Sequence, residues 1–149
     1  MRAPKLINEI QNYRTGNDMS DVYAGILKKR ALGFLENAKD NFKREQYDLV
    51  LFHVEQFLQL YLKYLLYKKI GVYPKTHSPI YLLKEVIKIH DNGELKGFYD
   101  KNLEMLNLLE DAYITSRYLP REYDKELAER VLEFTKKALE VLEWIERLS

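Results

Sequence analysis

The chain has no cysteine, which excludes disulfides, thiolate zinc sites and cysteine nucleophiles and fits a reducing interior. It has no excess of charge either: 24 Lys+Arg against 23 Asp+Glu leave a formal +1, so no global field draws nucleic acid and any such site must be local. It has no uninterrupted apolar run long enough for a membrane. The richest stretch, Leu49 to Leu66, is broken by Glu55, Gln56, Gln59 and Lys63 and reads as a buried helix. Met1 to Glu9 lack the apolar core of a secretory signal, so a cytoplasmic location is expected. A glycine-rich phosphate loop is missing, and none of Ser20, Ser78, Ser116 and Ser149 stands in a Gly-x-Ser-x-Gly turn. The three histidines, His53, His77 and His90, form no Glu-x-x-His or His-x-x-x-His pair. These absences argue against kinases and serine hydrolases, and neither a metal nor a cofactor is expected.

What is present is helical periodicity. With 149 residues, 46% of them hydrophobic, there is material for one domain with a continuous core. Residues 1–18 are expected to form an N-terminal arm, with Leu6, Ile7 and Ile10 in a short helical stretch before the turn-like Arg14-Thr15-Gly16-Asn17-Asp18. Residues 19–149 are expected to form the bundle. Val22, Tyr23, Ile26, Leu27, Phe34, Leu35, Ala38 and Phe42 predict a first long helix from about Ser20 to between Lys43 and Glu45. A second runs from about Gln46 to Ile70 and stops at Gly71; it is apolar on more than one face and therefore central, or shared with a dimer partner. Ser78 as cap and Pro79 as first helical residue announce a third helix to about His90. Leu95 to Ser116 predict a fourth and Asp124 to Leu148 a fifth, with Trp144's ring turned to the core. No strand-like alternation, repeat or Gly/Ser linker competes. The expected fold class is all-α, an antiparallel up-and-down bundle of about five helices.

Three places could carry chemistry. Gln56 to Lys84 holds Lys63, Lys68, Lys69, Lys75 and Lys84 with no acid, interleaved with Tyr61, Tyr64, Tyr67, Tyr73 and Tyr81. Ammonium groups that neutralise phosphate beside rings that stack on bases suit a nucleotide or single-stranded RNA, whereas the plainer reading is a solvated lysine edge beside core tyrosines. His77, at a helix start, is the best candidate acid or base, against a role in fixing its loop. Arg117 and Tyr118 approach Pro120, where a guanidinium could grip phosphate, or could pair with Asp111 and pin the helix end.

Read together, Phe52, Gln56, Lys63 and Leu65-Leu66, then Gly71, Pro74 and Thr76-His77-Ser78, then Asp111, Tyr113, Ser116-Arg117-Tyr118 and Pro120 resemble a HEPN domain over most of the chain. The resemblance implies a helical bundle, a homodimer, and pairing with a minimal nucleotidyltransferase in a toxin–antitoxin-like system. Many such domains are metal-independent endoribonucleases whose signature is an Arg followed after four to six residues by His, cation and imidazole dividing charge stabilisation and proton transfer. That signature is absent here. Gln59 also stands where many relatives have Glu, and Leu119 separates Tyr118 from Pro120. The expected role is a binding module engaging a nucleotide or single-stranded RNA through Lys63, Lys68, Lys75, His77, Arg117 and Tyr118. The alternatives are an endoribonuclease with a rearranged site, using His77 with Arg117 or Lys63, and a purely structural dimer.

Overall fold

The structure is a computed structural model and describes residues 18–118 and 122–148; of Asp18, Ser116, Arg117 and Tyr118 it describes the backbone. Apart from Asp18, the expected N-terminal arm lies outside the described residues, as do Leu119 and Pro120. Among the described residues six helices follow one another: α1 Asp18–Lys43, α2 Tyr47–Ile70, α3 Pro79–His90, α4 Gly93–Lys101, α5 Leu103–Tyr118 and α6 Lys125–Leu148. No strand occurs among the described residues, and the all-α helical bundle is as expected.

The α1–α2 connection is a tight helix end. Glu45 takes a left-handed φ of 60°, and the Gln46 N–H reaches back to the Asn41 carbonyl at 2.9 Å, so two otherwise orphaned turns close on each other. α2 is the central helix: Val50, Leu51, Val54, Phe57, Leu58, Tyr61, Leu62, Leu65 and Leu66 are all buried, on every side of it. α1 approaches with Ala24, Leu27, Ala31, Leu35 and Ala38, a stripe whose three alanines let the two backbones come close. Of the expected face, Leu27, Leu35 and Ala38 are buried, whereas Val22 and Ile26 stay 53% and 43% exposed. Ala24 and Ala31, not Val22 and Ile26, join Leu27, Leu35 and Ala38 in the buried stripe. From the other side α6 buries Ala128, Val131, Phe134, Ala138, Leu142 and Ile145, with Trp144 packed at the margin.

The helix ends follow their local chemistry. Gly71 closes α2 at φ 76°, its N–H on the Tyr67 carbonyl at 2.8 Å. Ser78 Oγ accepts from the Tyr81 N–H at 3.0 Å and Pro79 opens α3. Asp124 Oδ1 accepts from the Leu127 N–H at 2.8 Å and caps α6. The expected fourth helix is two. Asn102 ends α4 by sending its N–H to the Phe98 and Tyr99 carbonyls at 3.1 and 3.2 Å and its side-chain amide to Phe98 at 2.8 Å. Its own carbonyl then starts α5 by accepting from Leu106 at 2.9 Å. An asparagine side chain that competes for backbone carbonyls is the physical reason for the break. At its far end α5 runs on to Tyr118, so Arg117 and Tyr118, expected in the connection, belong to the helix's last turn.

Candidate functional site

The side of α2 that faces α5 carries a polar ladder inside the core. Glu55, fully buried, accepts from Gln56 Nε2 at 2.9 Å and from Gln59 Nε2 at 3.0 and 2.9 Å on its two oxygens. Four residues on, Lys63 Nζ donates to Gln59 Oε1 at 3.4 Å. Spacing of four keeps all three on one helical face. Burial is the dominant influence on Glu55 and favours its neutral form; the glutamine bonds and Lys63 favour the charged form, Glu110 opposes it, and the carboxyl is pushed up to about 8. Burial likewise lowers the Lys63 ammonium against the pull of Glu55. Lys63 Nζ sits 5.5 Å from the centre of the Tyr73 ring.

Tyr73 belongs to residues 71–78, which join α2 to α3 and lie along the bundle as a strap. Its hydroxyl meets that of Tyr23 at 2.5 Å, tying the strap to α1. Further along, the exposed His77 ring stacks on Tyr113 of α5, 5.4 Å between centres and 27° between planes. Tyr113 in turn lies parallel to Phe52 of α2 at 5.9 Å and 2°. Phe52 meets His53 edge-on at 5.3 Å, and His53 stacks with Phe34 of α1 at 5.8 Å. A column of rings therefore crosses the molecule from strap to α1. At its α1 end Asn41 Oδ1 lies 2.6 Å from His53 Nδ1, while Asn41 Nδ2 donates to Gln46 at 3.0 Å. The Asn41 amide is thus held between the Gln46 side chain and the His53 ring. Burial lowers the His53 pKa, with the Leu49 carbonyl pulling the other way.

One turn before Tyr113, Glu110 accepts from Ser78 Oγ and, at 3.0 Å, from the Ile80 N–H. A carboxylate from α5 thus satisfies the first turn of α3, where backbone donors have no intrahelical partner and negative charge is favoured. Phe52 and Tyr113 set the register of α2 against α5. Glu55 lies about one turn after Phe52 in α2, and Glu110 about one turn before Tyr113 in α5.

The residues expected to form a site fall into separate neighbourhoods. His77 and Lys75, both exposed, share the strap. Arg117 lies four residues beyond Tyr113 in α5, about 6 Å along the axis, and Tyr118 follows it. Asp111 and Arg117 are six residues apart in α5, about 120° around its axis. Lys63 is eleven residues from Phe52, about 16 Å along α2, so it belongs to the Tyr73 end of the strap. Lys68 is exposed on another side of α2, its ammonium 5.8 Å from the Tyr64 ring. There Glu146 of α6 gathers Lys28 Nζ at 2.8 Å, Tyr61 at 2.5 Å and Tyr64 at 2.7 Å. Burial works to raise the Glu146 pKa, but these donors hold it below the ordinary carboxylate value. Glu55 and Glu110 were not anticipated as members of a site. The signal for Glu55 was present: Glu, Gln and Lys at successive spacings of four on a helix apolar all round. No cluster of three metal-ligating side chains exists among the described residues, and no described helix is long and apolar enough to cross a membrane.

An antiparallel helical bundle whose central helix carries a buried polar ladder, faced by a histidine-bearing strap, defines a class of small helical modules. A family model described as HEPN domain matches residues 24–148, and the chain belongs to that family. No curated protein and no solved structure matches it.

Proposed function

We propose that this HEPN chain is a homodimeric binding module for a nucleotide or single-stranded RNA and the partner of a minimal nucleotidyltransferase in a toxin–antitoxin-like pair. The supporting observation is the exposed His77 ring on the end of the Tyr113–Phe52 stack, with Lys75 on the same strap and Arg117 one turn beyond Tyr113. Rings already stacked in a column offer a base a π-face at little ordering cost, and flanking cations suit its phosphate. A groove lined by Leu27, Gly33, Phe34 and Leu60, with Arg30 and Asn37 among its walls, offers a second copy a partly apolar seat. Filter binding of mixed-sequence single-stranded RNA and of mononucleotides in EDTA tests the reading. Tyr113→Ala, His77→Ala and Arg117→Ala are each expected to weaken binding, and wild-type affinity in all three overturns it. Light scattering on Leu60→Glu tests the dimer separately.

One observation favours a second reading, an endoribonuclease with a rearranged site. Tyr113 brings the His77 imidazole to the helix turn that precedes Arg117, so a proton carrier and a cation share one end of α5. On that reading the same RNA is cut in EDTA, and both His77→Ala and Arg117→Ala abolish cutting.

A further inference from the structure

The strap presents two exposed side chains, Lys75 and His77, on either side of a half-buried Thr76. Thr76 closes the chain over each of them. Its N–H donates to the Pro74 carbonyl at 3.0 Å, a one-residue turn with Lys75 at the apex. Its Oγ1 accepts from the Ser78 N–H at 3.1 Å, a second such turn with His77 at the apex. Ser78 is then anchored to α5: its Oγ donates to Glu110, and Glu110 also accepts from the Ile80 N–H at 3.0 Å. Glu110 and Tyr113 are three residues apart, on one face of α5. That face therefore grips the Ser78 hydroxyl with a carboxylate and the residue before it, His77, with a ring. An exposed imidazole on a free loop gives up backbone and rotamer freedom when it stacks. Here hydrogen bonds already fix the backbone on both sides of it.

We propose that Thr76 and Glu110 are positioning residues for the candidate site: Thr76 shapes the turns that present Lys75 and His77 together, and Glu110 holds those turns where the His77 ring lies on Tyr113. Neither has to touch a ligand. A nucleotide or single-stranded RNA seated on the stack meets a ring and an ammonium group whose ordering is complete before it arrives, which favours binding. This last consequence rests on the proposed function, whereas the clamp on His77 does not.

The test is the ring-current shift that Tyr113 imposes on the His77 ring protons, read by NMR on the full chain without ligand at a single pH, with Tyr113→Leu as the unstacked reference. Thr76→Val keeps the shape and removes the acceptor, and Glu110→Ala removes the carboxylate; each is expected to lose most of the shift. Thr76→Ser and Glu110→Gln retain an acceptor oxygen and should keep it, a rescue that general loosening of the bundle does not give. Thr76 lies outside the helices, so its variants decide the matter if Glu110→Ala does not fold. A wild-type shift in Thr76→Val or in folded Glu110→Ala overturns the clamp, as does an equal loss in Thr76→Ser or Glu110→Gln, or a wild type that matches Tyr113→Leu. Affinity for mononucleotides and single-stranded RNA, measured on the same samples, separates the two ideas. Thr76→Val should bind several-fold more weakly; loss of the shift without loss of binding retains the clamp and removes its link to the ligand. Absence of binding by the wild type removes the proposed function and leaves the clamp to be judged on the shift.

Discussion

Glu55 gives the molecule a stability profile that runs against the usual one for carboxylates. Its folded pKa, about 8, lies above the ordinary 4.5, so between these values the folded chain keeps a proton that the unfolded chain gives up. Its contribution is fully present below the lower value and is lost as pH rises through the window, at up to about 1.4 kcal/mol per pH unit. Denaturant unfolding at pH 5, 7 and 9 should show this decline in the wild type and not in Glu55→Gln, with the variant the more stable at pH 9. An unchanged slope in the variant places the titration elsewhere. Glu146 behaves oppositely, since its donors lower its pKa: the stability it contributes is present above the ordinary carboxylate value and is lost as pH falls through the folded one. Tyr61 is the donor buried deepest there, with no exposed surface. Tyr61→Phe removes one hydrogen bond to a charged acceptor while keeping the ring, and should cost about 1.5–3 kcal/mol in the same assay at pH 7.

The helices themselves separate what the sequence discloses from what it does not. Gly71 is legible because a left-handed residue is required where α2 ends, and its φ of 76° with the N–H on Tyr67 meets that requirement. No atom would lie within 4 Å of an added Cβ there, so Gly71→Ala introduces backbone strain alone. The expected loss is about 1 kcal/mol in denaturant midpoint stability, and an unchanged midpoint would mean that the turn has relaxed. Ser78 with Pro79 and the Gly71 stop are local signals, written within three or four residues, and each was readable. The Asn102 break was not, because Leu95, Phe98, Leu103, Leu106 and Leu109 keep a helical period across it and only the side-chain bond to Phe98 decides. The candidate site was legible in part for the same reason. Tyr113, Phe52 and His77 stand in recognisable positions, but their stacking depends on the register of three elements far apart in sequence. Val22 and Ile26 mislead because hydrophobicity marks a face, while the alanines that permit close packing choose it.

For the whole molecule, charge decides how a nucleic acid could be held. A formal +1 provides no general attraction, so binding must draw on the few cations near the ring column and should have a shallow salt dependence. Each phosphate neutralised contributes about 0.7 to the slope of log affinity against log salt on a single strand. Lys75 stands on the strap two residues from His77, whereas Lys68 stands against Tyr64 beside Lys28 and Glu146, on another side of α2. Both lie in the same acid-free stretch of sequence, and the fold is what distinguishes them. Lys75→Glu should therefore lower the affinity for single-stranded RNA several-fold and reduce the slope by about 0.7, while Lys68→Glu leaves both near the wild-type values. Equal losses in the two variants would mean that the whole lysine stretch acts as one diffuse surface, which removes the ring column as the place where the ligand sits. Unchanged affinity in Lys75→Glu with loss in Lys68→Glu would move the site to the Tyr64 side, and would leave the His77 stack with a structural role in holding the strap to α5.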